Sequence, residues 1–132
     1  MADKRSQNGK ESSVFTDRVT GREVLQLTDS ELRSVHGYYD IPPWSRTDRR
    51  IAFSRMAPGA TEGDICVMDD DGDNLRRLAT SRTMSANDGA LAQWSADGRR
   101  VYFNDREGET RLIGWADAES GVVGARPGGV RM

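Results

Sequence analysis

The fold of this chain is decided by two ten-residue stretches that align without a gap, WSRTDRRIAF at residues 44–53 and WSADGRRVYF at residues 94–103. The tryptophan, the serine, the arginine pair and the final phenylalanine are identical, and Ile51 is replaced by another β-branched residue, Val101. An alignment over ten consecutive positions that starts again fifty residues later indicates an internal repeat. The two tryptophans are therefore expected to occupy equivalent and largely buried places in consecutive structural units.

Each copy predicts a strand, a tight turn and a second strand. In the second copy Asp97-Gly98 supplies the positive φ that such a turn needs, and in the first copy Asp48 stands at the glycine position. Aspartate tolerates the left-handed region, so the turn is expected to survive the change. Apolar runs at 64–69 and 75–78, separated by the turn at 70–74, complete a unit of four strands.

A unit of four short antiparallel strands repeated every ~40–50 residues is typical of a β-propeller blade. The sequence therefore predicts an all-β fold, a partial β-propeller of about two and a half blades that is not closed. The predicted organisation, in chain order, is a disordered tail at 1–12, the end of a preceding blade at 13–30, a blade at 41–80, a blade at 90–123 and a loose C-terminal tail at 124–132.

Composition excludes several classes of partner. The 132 residues carry 19 lysines and arginines against 21 aspartates and glutamates, and no basic cluster is interleaved with aromatics, so a nucleic-acid partner is not expected. Residues 1–13 contain no apolar run for a signal peptide or a membrane span, which predicts a cytoplasmic chain without a membrane partner. The single cysteine, Cys66, cannot form an internal disulfide and is interpreted as a small hydrophobe in a strand.

The repeat resembles the WD40-like (PD40) repeats of TolB-type β-propellers. Their blades carry a Trp-Ser-Pro-Asp-Gly-x-x-Ile-x-Phe element followed by a Val-Met-Asp-x-Asp-Gly-x-Asn-x-x-x-Leu element, and residues 44–53 with 67–78, and again 94–103, are similar to these. The resemblance spans residues 14–123 and implies a propeller fold. It implies no single activity, because such propellers serve as adaptors, enzyme domains and lids.

A narrower resemblance is to the oligogalacturonate lyase-like propellers. The similar residues are Thr20-Gly21, Leu27-Thr28, His36 with Tyr38-Tyr39, Gln93-Trp94 and Phe103-Asn104-Asp105-Arg106-Glu107-Gly108. In that family several histidines, mostly in later blades, hold a divalent metal. This chain has one histidine, so neither the metal site nor lyase chemistry is carried over from the resemblance.

Two connectors are predicted to contribute a ligand-binding surface. The connector before Trp44 and the one before Trp94 are both expected to open on one propeller face, together with the loop at 56–63, because propellers bind ligands where such loops converge. The alternative is a packed, hydrogen-bonded connector without a ligand. The predicted ligand-binding residues are His36, Tyr38, Tyr39, Asp40, Asn87 and Asp88.

The aspartates of the 69–73 turn allow two interpretations. Carboxylates at Asp69, Asp71 and Asp73 are spaced as in a calcium loop, but the EF-hand pattern fails, because Asn74 and Thr80 stand where it requires glycine and glutamate. A plain strand-connecting turn is the favoured interpretation. One histidine and one cysteine provide no nucleophile and base, so no catalytic residue, metal or cofactor is predicted.

Two functions remain open from the sequence. The first is a non-enzymatic propeller segment that binds a protein or an oligosaccharide through its loop face. The second is the N-terminal fragment of an oligogalacturonate lyase-like polysaccharide lyase. Because an unclosed stack of blades leaves sheet faces uncovered, self-association is also expected, through apolar strand residues taken to be Leu25, Leu27, Leu112 and Ile113.

Overall fold

The computed structural model describes residues 10–128. These residues contain ten β-strands: β1 (Ser13–Thr16), β2 (Glu23–Gln26), β3 (Arg33–Val35), β4 (Ile51–Met56), β5 (Gly63–Met68), β6 (Arg76–Ser81), β7 (Gln93–Trp94), β8 (Arg100–Glu107), β9 (Thr110–Asp117) and β10 (Val123–Pro127). In this part of the chain no helix has the length and apolar character needed to cross a bilayer.

The strands form two four-stranded antiparallel sheets and one hairpin. The first blade has the strand order β3-β4-β5-β6, the second blade has the order β7-β8-β9-β10, and β1 pairs with β2 alone. The repeat is reproduced in the register, since Trp44 faces Ile51 across the first blade as Trp94 faces Val101 across the second. The predicted all-β fold of open, four-stranded antiparallel blades is confirmed.

The turn of the first copy differs from the expectation. Gly98 has a φ of 72° in the second copy, but in the first copy Arg49, rather than Asp48, takes the left-handed conformation, with a φ of 62°. Asp48 keeps ordinary backbone geometry and places its carboxylate 2.6 Å from Nε of Arg50. The turn therefore still joins the two strands, but the residue with positive φ lies one position later than in the second copy.

The structure corrects three predicted boundaries of the blades and tails. The first blade begins at β3, upstream of residue 41, and β10 continues through Pro127, into the segment expected to be a loose tail. Residues 10–12 are ordered on the body, because the carboxylate of Glu11 pairs with Arg55 at 2.8 Å. The remaining parts of the predicted tails, residues 1–9 and 129–132, lie outside the described residues.

The main core lies between the two blades. Side chains on facing sheets alternate inward along each strand, as a half-buried sheet requires. Its buried residues are Ala52, Met56, Ile65, Val67, Leu78, Met84, Ala90, Ala92, Val101, Phe103, Ala116 and Ala118. A second, smaller cluster on the other face of the first blade contains Phe53, Cys66, Met68 and Leu75, with Leu27 packed against it.

Buried serines join the two blades. The hydroxyl of Ser54 accepts a hydrogen bond from the backbone nitrogen of Ala90 at 3.0 Å. The hydroxyl of Ser81 donates to the carbonyl of Asn104 at 2.6 Å. Both hydroxyls are almost fully buried, so these hydrogen bonds hold the second blade in a fixed position on the first.

Candidate functional site

The first strand of the second blade, β7, and the residues just before it pair with β8 with little interruption. The carbonyl of Ala90 accepts a hydrogen bond from the nitrogen of Asn104 at 2.8 Å, and Gln93 pairs with Tyr102 further along. Two residues, 91 and 92, lie between these two pairing points.

The inner strand of the first blade is split by an insertion. Val35 pairs with Ser54, and the carbonyl of Pro43 accepts from the nitrogen of Ala52 at 2.7 Å, at positions that the repeat makes equivalent to those of the second blade. Seven residues, 36–42, lie between these points. We call them the inner-edge insertion, because they leave the first blade after β3, the edge strand with which that blade begins.

Four of the predicted ligand-binding residues lie in the inner-edge insertion and project from it. Tyr39 is 81% exposed and Tyr38 is 47% exposed, and their ring centroids are 4.3 Å apart with the planes tilted by 52°. His36 and Asp40 are also exposed. The two adjacent rings form a contiguous exposed apolar patch, a feature that marks many interaction sites.

The insertion is anchored to the second blade at its base. Gly37 is buried, and a Cβ there would lie 3.4 Å from the carbonyl oxygen of Ala92 and 3.3 Å from Ile41. A turn closed by the nitrogen of Ile41 and the carbonyl of Tyr38, 2.7 Å apart, follows. The rings of Tyr38 and Tyr39 therefore extend from a fixed base rather than from a free loop.

A cleft of about 300 Å³ opens directly after the insertion, between the inner edges of the two blades. It combines two indole rings with a guanidinium and a primary amide, a composition that suits a polar ligand with one apolar face. Its lining includes Ile41, Pro42, Trp44, Arg46, Gln93 and Trp94.

The two repeat tryptophans are not equally buried, so the expectation of equal burial is wrong for Trp44. Trp94 is half-buried, its indole Nε1 donates to the carbonyl of Pro43 at 3.0 Å, and the Arg50 guanidinium lies 4.8 Å from its ring. Trp44 is 58% exposed. The physical reason is a missing neighbour: Trp94 packs on the blade before it, whereas among the described residues only the β1–β2 hairpin precedes the first blade.

Asn87 and Asp88 lie in a separate tight loop. Ser85 and Gly89 close this loop by mutual backbone bonds of 2.9 Å, and the nitrogen of Asp88 donates to the hydroxyl of Ser85 at 3.1 Å. Gly89 packs against the side chains of Ser54 and Val35, so the loop comes close to the start of the insertion. Within residues 10–128 no hydrogen bond or ion pair joins Asn87 or Asp88 to residues 36–40.

The loop at 56–63 does not lie beside the insertion. It contacts the connector after β6, where the nitrogen of Met84 donates to the carbonyl of Thr61 at 2.8 Å, at the end of the sheet where β4 finishes. The insertion instead leaves the inner edge part-way along the sheet, between the levels of Ser54 and Ala52. The structure thus divides the predicted surface into an inner-edge part and a loop-end part.

The aspartate-rich turn is held together by its own contacts. The carboxylate of Asp69 accepts from the amide of Asn74 at 2.7 Å, Asp70 pairs with Arg49 at 2.7 Å, and Asp73 pairs with Lys10 at 3.0 Å. Gly72 supplies a φ of 92°. Nowhere in residues 10–128 do three carboxylate, imidazole or thiol groups converge as metal ligands.

No protein-family profile and no curated protein matches this chain. Its fold is similar to that of an oligogalacturonate lyase in complex with manganese, with a TM-score of 0.65 and 15% sequence identity, covering 91% of this chain and 30% of the lyase. An oligogalacturonate lyase from Vibrio parahaemolyticus gives a TM-score of 0.63 and 14% identity over 87% of this chain and 28% of that one. The chain has a β-propeller fold.

The chain spans less than a third of the length of either lyase. The predicted likeness to this group of propellers is thereby confirmed at the level of the fold, while the assignment of the repeats to the TolB (PD40) type stays a prediction.

Sequence reasoning missed the residues that line the cleft after the insertion. Trp44 was expected in a core, and Arg46 and Gln93 were not among the predicted ligand-binding residues. No local signal marks Trp44 as exposed, because the same ten-residue pattern surrounds the half-buried Trp94.

Proposed function

We propose that this chain is a binding module that takes an oligosaccharide along the inner edge of its two blades. The observation that carries the proposal is that the exposed indole of Trp44 lines a cleft that also presents Arg46 and Gln93, while the insertion beside it carries the exposed rings of Tyr38 and Tyr39. The solved propellers with the same fold are named as lyases of oligogalacturonate, which is itself an oligosaccharide.

The chemistry of the inner edge suits a sugar. One face of a pyranose ring carries C–H groups that pack on an indole or phenol ring, while its hydroxyls need donors and acceptors at the rim. Trp44 supplies the flat apolar surface, and Gln93 and Arg46 supply the polar rim. Because Arg46 adds a positive charge, an acidic oligosaccharide should bind more tightly than a neutral one of equal length.

The experiment is calorimetric titration of the whole chain with oligogalacturonides and with neutral oligosaccharides of the same length. Trp44→Ala should weaken binding at least about tenfold, which corresponds to roughly 1.4 kcal/mol. Phe15→Ala removes a comparably exposed aromatic ring from the distant hairpin and serves as the matched control. Absence of binding to every oligosaccharide, or equal weakening by the control, would overturn the proposal.

A second candidate function is favoured by the likeness of fold to two oligogalacturonate lyases. In it the chain forms the first part of a longer lyase, in which other blades complete the site. Elimination at a uronic acid forms a carbon–carbon double bond, so ultraviolet absorbance would report it when oligogalacturonides are incubated with manganese and a longer form of the protein that includes those other blades. An increase in absorbance that Trp44→Ala abolishes would favour the lyase over the binding module.

A further inference from the structure

The second blade has one face on the core and one face turned away from the first blade. Val101, Phe103 and Ala116 point into the core and are at most 5% exposed. The residues between them point the other way, where Tyr102 faces Trp115 across β8 and β9. This outward face has no sheet against it among residues 10–128.

The side chains on this outward face differ in size and charge from those on the equivalent face of the first blade. The first blade presents Ala52, Ser54 and Met56 there, at 0%, 1% and 3% exposure, and packs closely on its neighbour. Fifty residues later the same positions hold a tyrosine, an asparagine and an arginine. A further blade would meet a bulky ring and a charge on this face, whereas the second blade meets uncharged, closely packed side chains on the first.

Arginines dominate this surface, which we call the basic face. It consists of Arg100, Tyr102, Asn104, Arg106, Arg111, Ile113, Trp115, Asp117 and Arg126, placed on one side by the registers of β8, β9 and β10. Four guanidiniums thus stand against one carboxylate, in a chain whose formal net charge is -2. No carboxylate of residues 10–128 lies within ion-pair distance of Arg106, Arg111 or Arg126.

The aromatic rings of the basic face lie against the sheet. The Trp115 indole covers Gly124, occupying the place that a Cβ would take, and the Arg100 guanidinium lies 3.9 Å above that indole. Tyr102 is half-buried. None of these rings projects as a stacking platform for bases or sugars would, so the face is a flat sheet with charges on it.

The other side of the molecule shows how this protein covers such an arginine. Arg55, on the outer face of the first blade, is 3% exposed and is held by both carboxylate oxygens of Glu11, at 2.8 and 3.1 Å. Glu11 belongs to the extended segment before β1. A peptide segment with a carboxylate is therefore the covering element that this fold uses for a guanidinium on a blade face.

We propose that the basic face is a docking surface for an acidic polypeptide, an extended segment of another protein with carboxylates at alternate positions. Alternate residues of a strand lie on one side about 6.6 Å apart, and the face extends roughly 20 Å along β8 from Arg100 to Arg106. Such a segment can place successive carboxylates over Arg106, Arg111 and Arg126. The side chains of an extended peptide repeat with the same spacing as the pleat of the sheet. The bases of a stacked nucleic-acid strand and the rings of a sugar chain do not.

The test measures binding of fluorescent poly-L-glutamate to the whole chain at several salt concentrations. The double variant Arg106→Glu/Arg111→Glu should weaken binding at least about tenfold, since two attractive charges become repulsive. Arg18→Glu/Arg22→Glu makes the same change of charge on the exposed hairpin and should alter affinity less than about twofold. If the double variant fails to fold, Arg111→Gln removes one exposed charge and should still weaken binding measurably.

Several results would overturn the proposal. Absence of poly-L-glutamate binding, or equal weakening by the hairpin variant, excludes a specific acidic segment on this face. Tighter binding of heparin or single-stranded DNA of matched charge identifies a different class of polymer. A dimer that dissociates only in Arg106→Glu/Arg111→Glu makes a second copy the occupant. Trp44→Ala should leave poly-L-glutamate binding unchanged, which separates this surface from the inner-edge cleft.

Discussion

Arg55 carries a buried charge on the outer face of the first blade, directly across the sheet from the buried Asp64. It sits at the edge of the Phe53 cluster with its guanidinium 5.4 Å from that ring, and Glu11 neutralises it by a bidentate contact. Glu11 also accepts a hydrogen bond from the nitrogen of Asp29 at 2.9 Å, so one carboxylate joins three segments of chain. The pair thus fastens the polypeptide before β1 to the first blade.

Glu11→Ala should destabilise the protein by ~3–5 kcal/mol, because it removes the carboxylate that makes the bidentate contact with a buried guanidinium. Urea unfolding followed by circular dichroism measures the change. Lys10→Ala, which removes one half of an exposed pair with Asp73, should leave the urea midpoint almost unchanged. A stability for Glu11→Ala equal to that of the wild type would mean that residues 10–12 are as dispensable as the sequence suggested.

Cys66 should be inert while the protein is folded. It is 4% exposed, and burial raises the pKa of its thiol to about 12, so almost no thiolate exists at neutral pH. Iodoacetamide labelling followed by mass spectrometry should therefore proceed only in denaturant, with a midpoint that coincides with unfolding. Rapid labelling of the native chain would show that the small cluster opens locally.

At the scale of elements, aspartates at the first position of tight turns organise the hairpins. The carboxylate of Asp117 accepts hydrogen bonds from the nitrogens of Ser120 at 2.8 Å and Glu119 at 2.9 Å, which lower its pKa. In the β7–β8 turn, the Ser95 hydroxyl donates to Asp97 at 2.7 Å and, with the nitrogen of Arg99, lowers the pKa of Asp97. These turns are Asx-type turns that hold strand registers.

These lowered pKa values predict a loss of stability in acid. A carboxyl group whose pKa is lower when folded contributes fully above its unfolded value of about 3.9, and its contribution disappears as the pH falls through the folded pKa. Asp117→Asn should therefore show a shallower decline of melting temperature below about pH 4, and Asp97→Asn should act in the same direction. Thermal melts across the acid range provide the comparison, and unchanged slopes would contradict it.

At the scale of the whole molecule, the residues expected to cause self-association are only partly available. Leu27 packs on the small cluster and Leu112 is half-buried, whereas Leu25 and Ile113 are each 43% exposed. The β1–β2 hairpin also exposes Val14, the cross-strand partner of Leu25, at 59%. The hairpin therefore carries an exposed apolar pair.

The isolated chain should associate at micromolar concentration through this hairpin, since exposed apolar pairs on a two-stranded sheet favour burial. Val14→Ser/Leu25→Ser should shift the sedimentation velocity profile toward the monomer, while Phe15, on the opposite side of the hairpin, provides a control as Phe15→Ser. A wild-type monomer over the whole concentration range would contradict the prediction.

The sequence by itself determined the repeat, the central strands of each blade and their order. Alternating apolar residues and Asp-Gly turns act over a few positions, so the fifty-residue repeat was sufficient to predict two consecutive four-stranded antiparallel blades. The pairing of Trp94 with Val101 and of Trp44 with Ile51 follows from that local pattern.

Only the tertiary structure decided which repeat positions are buried, because burial depends on the neighbour that covers a residue and not on the residue itself. Trp44 and Trp94 have the same local sequence, yet one faces water and the other faces a blade. Glu11 lies in a polar stretch without any local signal, and its position on Arg55 is a contact between residues 44 positions apart. The inner-edge cleft and the open basic face both result from how the sheets stack, and that stacking depends on long-range contacts of this kind.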